Sequence, residues 1–269
     1  MGRKKVEGFC GICGKFGPLT YEHVPPRAAF NEGKFIVVPN EIIHNVGSKK
    51  IPKGPIFQGG IGFHALCGKC NNLTGHRYGA DFVQFAYQAI SILQRAKFKP
   101  TLIYPYHICP LRVIKQIITM FLAVNHSNPF RKVYPELVKF VMNRDEKYLD
   151  PKYQLYIYYN HEGNTRYLGF SVIGDFEKNI KPIQMTEIAY PPFGFVLTLN
   201  DAPMIEDKLF NISFFSRYGY NEWTDVNLRL SVLPTHLQVP LDYREESEID
   251  KAISESDNID LENKSVSDL

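Results

Sequence analysis

The stretch Leu66-Cys67-Gly68-Lys69-Cys70-Asn71-Asn72-Leu73-Thr74-Gly75 decides how the first third of this chain is read. Two cysteines separated by two residues can present both thiolates to one tetrahedral ion, and Gly68 between them permits the tight turn. The same spacing occurs upstream in Cys10-Gly11-Ile12-Cys13-Gly14. A redox C-x-x-C stands alone in a βαβ setting. Here two pairs share one segment, residues 1–80, which is rich in Gly, Pro, Cys and His and short of helical periodicity. Such a segment builds little core and needs a staple. Cys10, Cys13, Cys67 and Cys70 are therefore expected to hold one Zn2+. The ion is structural, because four thiolates leave no position open for water. Cys109 makes the total 5, and an odd count in this arrangement speaks against a secreted disulfide framework.

Each pair has a second motif beside it. Leu19-Thr20-Tyr21-Glu22-His23-Val24-Pro25-Pro26 follows the first, and Asn71-Asn72-Leu73-Thr74-Gly75 continues the second. With both in this order, residues 1–80 resemble the zinc-stapled branch of the HNH (ββα-metal) endonucleases. In that family an acidic residue, a histidine and a nearby proline mark the first strand of a hairpin, and C-x-x-C-(Asn/His) opens the following helix. The resemblance covers less than a third of the chain. It implies that His23 is the general base, that Asn71 ligates a single Mg2+ or Mn2+, and that Glu22 is the carboxylate ligand beside the base. DNA, held mainly through its backbone phosphates, is the implied substrate. The family often has a further Asn close to the place where His64 stands here. His64 either substitutes as an orienting group or ligand, or simply packs. Bacterial HNH domains are often fused to sensor or partner modules and act in defence against phage, so a defence effector is also implied.

The residue types suit that chemistry. Phosphodiester hydrolysis needs a water deprotonated near neutral pH, which histidine can do. It also needs a hard cation on the scissile phosphate, and such ions take carboxylate and amide oxygens. Asn71 has a second reading as a helix cap. Arg77 either meets phosphate or is solvated, and Tyr78 is expected to pack.

Charge is unevenly spread. Residues 1–80 carry about +7 and residues 242–269 about −7, although the whole chain is only +3. A basic end suits a phosphate-rich partner. Lys34, Lys49, Lys50 and Lys53 lie in a long Gly- and Pro-containing insertion that either embraces a duplex or is an ordinary surface loop.

The remainder carries no motif of its own. Helical spacing over Ala80–Phe98, a helix opened by Pro110, and a shorter one over Pro135–Asn143 are expected. Phe35–Val38, Tyr153–Tyr159, Thr165–Ile173, Ile183–Ala189, Phe193–Asn200, Leu209–Tyr218 and Val226–Leu233 read as strands. The fold class is then α+β: a zinc-bound HNH domain over 1–80, an α+β accessory, partner or homodimer domain over 81–241 with a mainly antiparallel sheet, and a mostly disordered acidic tail over 242–269. No apolar stretch follows the charged N-terminus, and the apolar run 113–124 is too short for a bilayer. No membrane association is expected, and a cytoplasmic location is. Two other functions fit the same motifs. One is a non-catalytic zinc module that binds nucleic acid or protein. The other is a homing or restriction nuclease in which 81–241 reads a DNA sequence.

Overall fold

A computed structural model gives the architecture and describes residues 5–36, 56–96, 99–126, 129–174 and 181–257. In chain order the first strands are β1 (Glu7–Phe9), β2 (Phe16–His23), β3 (Lys34–Ile36), β4 (Ile56–Gln58) and β5 (Gly62–Cys67). β1, β2 and β5 form a three-stranded antiparallel sheet in that order, while β3 and β4 pair with each other as a separate arm. Lys34 lies on that arm, whereas Val38, Lys49, Lys50 and Lys53 lie outside the described residues.

The chain leaves β5 directly into α1 (Gly68–Thr74), passes through a π-helical turn (Gly75–Gly79) and continues as α2 (Ala80–Arg95). This run of helix is unbroken from 68 to 95. The domain boundary expected between residues 80 and 81 therefore falls inside a helix. Packing explains why: one hydrophobic core joins Leu66, Cys70 and Tyr78 to Phe82, Phe85, Ile117, Phe121 and Leu155. The zinc-knuckle segment thus buries its apolar side chains against the rest of the chain.

Next come β6 (Thr101–Ile108), α3 (Pro110–Val124), α4 (Phe130–Val133) and α5 (Pro135–Met142). Pro110 opens α3 and Pro135 opens α5, where a missing N–H costs nothing. β7 (Gln154–Tyr159), β8 (Arg166–Ile173), β9 (Ile183–Tyr190), β10 (Phe193–Thr198) and β11 (Phe210–Asn211) build a five-stranded sheet in the order β11-β7-β10-β9-β8. All of its pairings are antiparallel, so the expected mixed α and β composition with mainly antiparallel sheets is present.

Three expectations need correction. Leu209–Tyr218 is not one strand, because β11 stops at Asn211 and a 3-10 turn (Ser213–Arg217) follows. Asn211 Oδ1 accepts the Ser213 N–H at 2.8 Å and so diverts the backbone out of the sheet. The last strand, β12 (Thr224–Ser231), pairs with β6 rather than with the large sheet. β6 itself was hidden by Pro105, which is tolerated because a two-stranded ribbon leaves one side of each strand unpaired. Finally, the tail expected to be mostly disordered carries a helix, α6 (Glu246–Asp257), in its described part.

The physical anchor of that last segment is a buried ion pair. Arg166 Nη2 meets Glu187 Oε1 at 2.6 Å with both side chains fully buried. Arg166 Nη1 also donates to the carbonyls of Leu237, Val239 and Asp242. The Tyr243 hydroxyl donates to Glu187 Oε1 at 3.0 Å. At the start of α6, the Glu248 carboxylate accepts the Glu245 N–H at 2.8 Å. Acidic side chains favour a helix N-terminus in this way. Residues 258–269 of the expected tail lie outside the described residues. Among the described residues no helix is long and apolar enough to cross a membrane.

Candidate metal centre and active site

Two turns bring the cysteines together. In the first, Cys10 N–H donates to the Lys15 carbonyl at 3.0 Å and Gly14 N–H donates to the Cys10 carbonyl at 2.9 Å. Gly14 sits at φ 68°, where a side chain would be strained and would also collide with the Arg131 guanidinium. Gly11 N–H reaches across to the Ala65 carbonyl at 2.9 Å, which ties this knuckle to β5. In the second, Cys67 ends β5 and Cys70 lies in the first turn of α1.

The four sulfur atoms all lie within 4.8 Å of one another, and Cys13 Sγ is 3.8 Å from Cys67 Sγ. A tetrahedron with Zn–S bonds of about 2.3 Å has S···S edges of about 3.8 Å. No disulfide joins any of them. A hydrogen bond from Cys70 holds the Cys10 thiol down to about 4, while Cys70, hydrogen-bonded to Cys10 and desolvated, is pushed well up. Crowded thiols of this kind ionise together only around a cation. The group fits a closed four-sulfur site, and a metal ion such as zinc can be held there.

That clamp sets the relation between β2 and α1. β2 and β5 pair with Leu19 opposite Cys67, Thr20 opposite Leu66, Tyr21 opposite His64, Glu22 opposite Phe63 and His23 opposite Gly62. The register shifts between Thr20 and Tyr21, which leaves Ala65 as the extra residue of a bulge. Gly62 is required at its place, since a Cβ there would strike the Glu22 carbonyl.

Asn71 does not cap the helix. The cap position belongs to Cys67, whose side chain makes no capping hydrogen bond. Asn71 stands a turn further on, and its Nδ2 donates to Thr20 Oγ1 at 2.9 Å. Thr20 passes the contact on by donating to the Leu66 carbonyl at 2.8 Å. Asn71 also lies close enough to the Glu22 carboxyl to favour its ionised form. Glu22 is only 8% exposed. Burial pushes its pKa up to about 7, against the opposing effect of Asn71. Thr20, Glu22 and Asn71 therefore share one sheltered space between the hairpin and the helix.

His23 and His64 lie on the other face of the hairpin. Successive side chains of a strand alternate, so His23 shares its face with Tyr21, and the two rings meet edge to face at 5.1 Å. His64, opposite Tyr21, meets the same ring at 5.3 Å and is exposed. His23 Nε2 is 3.1 Å from the Gly59 carbonyl. A carbonyl only accepts, so this contact makes Nε2 the protonated nitrogen and leaves the Nδ1 lone pair available as a base. The structure thus brings Glu22 to Asn71 and gives His23 a defined tautomer, but it does not bring the His23 ring against Asn71.

Arg77, expected to meet phosphate or solvent, instead donates Nη1 to the Met142 carbonyl at 2.9 Å. Tyr78 is buried, with its hydroxyl on the Val141 carbonyl at 2.6 Å. One residue escaped the sequence reading altogether. Asn31 is fully buried and donates Nδ2 to the carbonyls of Pro25 and Ile61, at 2.8 and 2.7 Å. Its Oδ1 accepts the Ile61 N–H at 2.7 Å. Asn31 therefore stitches the exit of β2 to the entry of β5 and closes the end of the hairpin that carries His23. A lone Asn in a loop gives no signal for this, since all three partners are backbone groups.

No protein-family model matches this chain, and neither does any curated protein or solved structure. The reading of the site rests on its own chemistry.

Proposed function

We propose that this chain is a metal-dependent nuclease of the HNH (ββα-metal) type that hydrolyses phosphodiester bonds in DNA. One observation carries the reading: a carboxylate at the end of β2 and an amide in the first turns of α1 meet in a sheltered space clamped by a four-cysteine site. Glu22 and Asn71 supply the oxygen ligands that a Mg2+- or Mn2+-like ion prefers. Such an ion, when bound, binds the phosphate and stabilises the leaving oxygen. Glu22 binds it in the ionised form. His23, with Nε2–H fixed on the Gly59 carbonyl, accepts a proton from water at Nδ1. Glu22 and His23 are neighbours at the same strand end and face opposite sides, so a phosphate served by both lies across that end. Gly59 and Gly62 flank it, and nothing crowds Gly59.

The test is cleavage of supercoiled plasmid by the zinc-loaded chain with Mg2+ or Mn2+. Wild type is expected to nick or linearise it, with losses on the order of 100-fold or more in Glu22→Gln, Asn71→Ala and His23→Ala. Discrete fragments would mark a sequence-reading nuclease. A second reading, a non-catalytic zinc module, is favoured by one fact: the His23 ring lies on the opposite face of β2 from Asn71. Absence of cleavage by wild type with either ion would select that reading.

A further inference from the structure

We propose that Tyr21 is a positioning residue for His23, fixing both the plane of the imidazole and the carbonyl that selects its tautomer. This deepens the nuclease reading and rests on it for the reaction that His23 serves. Strand register puts the groups together. Tyr21 and His23 share one face of β2, and their partners on β5 are His64 and Gly62. Gly62 contributes no side chain, so the Tyr21 ring leans diagonally across its backbone; a Cβ there would lie 2.9 Å from Tyr21 Cε1. The ring has a neighbour on two sides. It meets the His64 ring at 5.3 Å across the strands and the His23 ring at 5.1 Å along β2. The second contact is almost perpendicular, at 87°. The last torsion of a histidine is broad on its own, and an edge-to-face contact of this kind narrows it.

The hydroxyl acts on the turn that His23 depends on. His23 Nε2 finds its partner in the Gly59 carbonyl, and Gly59 and Gly60 have φ of 86° and 102°. Two glycines in succession leave a backbone free to rotate, so a carbonyl placed there selects a tautomer only if the turn is held from outside. Its polar groups are held one by one. The Gly59 and Gly60 N–H groups donate to the Gly33 carbonyl at 3.2 and 3.1 Å. The Ile61 N–H and carbonyl are both taken by Asn31. The Gly60 carbonyl accepts the Tyr21 hydroxyl at 3.3 Å. Tyr21 thus grips the residue next to the one that His23 uses, while its ring bears on the imidazole itself. Both contacts favour the arrangement in which Nε2 carries the proton and Nδ1 is the free base. In the proposed site Tyr21 touches neither phosphate nor cation.

Nuclear magnetic resonance of the zinc-loaded full chain, carrying 15N-labelled histidine and no added Mg2+ or Mn2+, tests this without cleavage. The two imidazole 15N shifts of His23, read at one fixed alkaline pH where the ring is neutral, give the ratio of its tautomers. Tyr21→Phe keeps the ring and removes the hydroxyl. It is expected to lower the ratio of the Nε2–H to the Nδ1–H form on the order of 5-fold, the effect of losing one hydrogen bond's hold. Tyr21→Leu removes the ring as well and should lower the ratio further. In plasmid cleavage with Mg2+, kcat should fall on the order of 10-fold in Tyr21→Phe and further in Tyr21→Leu, with KM unchanged. A tyrosine that only packs would lower the melting temperature and leave the tautomer ratio alone. A wild-type ratio in both variants, or wild-type kcat in both, would overturn the inference. A shifted ratio in a chain that never cleaves would leave Tyr21 as the group that positions His23 and remove the nuclease reading. Cleavage by wild type with a ratio indifferent to Tyr21 would do the reverse.

Discussion

Asn71 donates its side-chain N–H to Thr20 Oγ1 at 2.9 Å, a contact between residues 51 positions apart in sequence. Thr20 in turn donates to the Leu66 carbonyl, so one hydroxyl fixes the Asn71 amide against the hairpin. In the proposed site Thr20 touches neither substrate nor cation; it positions Asn71, the proposed ligand. Thr20→Val keeps the shape and removes the hydroxyl. It should lower kcat on the order of 10-fold and cost about 1 to 2 kcal/mol of stability, with zinc content unchanged and activity restored by Thr20→Ser. A merely structural hydroxyl would lower stability without lowering kcat.

The cysteine clamp makes a prediction of a different kind. Cys67→Ser should lose the metal and with it the cooperative thermal transition of the N-terminal hairpin, because the four sulfurs are the joint between β5, the first knuckle and α1. Metal analysis should find one zinc per wild-type chain. His23→Ala, which lies outside the clamp, should retain the zinc and the wild-type melting profile. A chain that keeps its fold after exhaustive chelation would contradict this.

Asn31 offers a test of the hairpin end. Its three hydrogen bonds join Pro25 and Ile61, and the side chain is fully buried. Asn31→Ala leaves buried backbone groups without partners. A loss of about 2 to 4 kcal/mol in chemical denaturation is expected, together with loss of cleavage, since the Gly59 carbonyl that orients His23 lies in the same loop.

Lys115 sets a pH dependence far from the site. It is fully buried on α3, with Nζ donating to the Phe140 and Asn143 carbonyls at the end of α5. Desolvation lowers its pKa to about 7, against the pull of Glu146 and Asp145. Between that value and the unfolded value of about 10.4, the unfolded chain binds the proton and the folded chain does not. Stability therefore rises with pH across this window. Lys115→Met should remove that rise, amounting to a few kcal/mol, when denaturation midpoints are compared with wild type from pH 7 to 10.

The sequence was informative where a short pattern carries its own geometry. Two C-x-x-C pairs imply a shared ion because thiolates at that spacing reach one tetrahedral centre, and the four sulfurs do cluster. Pro110 and Pro135 marked helix starts for a local steric reason. Alternating aromatic and β-branched residues located β7, β9 and β10 closely. What stayed hidden depends on partners distant in sequence. Asn31 acts through backbone groups up to 30 residues away. β6 carries a proline that is acceptable only because its ribbon has two strands. The acidic segment after Tyr243 reads as disordered until the Arg166–Glu187 pair is seen to hold the chain leading into it. The site itself was half legible. Glu22 and Asn71 meet, whereas the face taken by His23 follows from strand register, which the motif does not encode.

The proposed chemistry requires Glu22 and Asn71 to hold a cation together. The most direct measurement is Mn2+ binding to the zinc-loaded chain, followed by electron paramagnetic resonance. One bound Mn2+ per chain is expected, abolished by Glu22→Gln, weakened on the order of 10-fold by Asn71→Ala and unaffected by His23→Ala. No bound Mn2+, or binding indifferent to both Glu22 and Asn71, would contradict it.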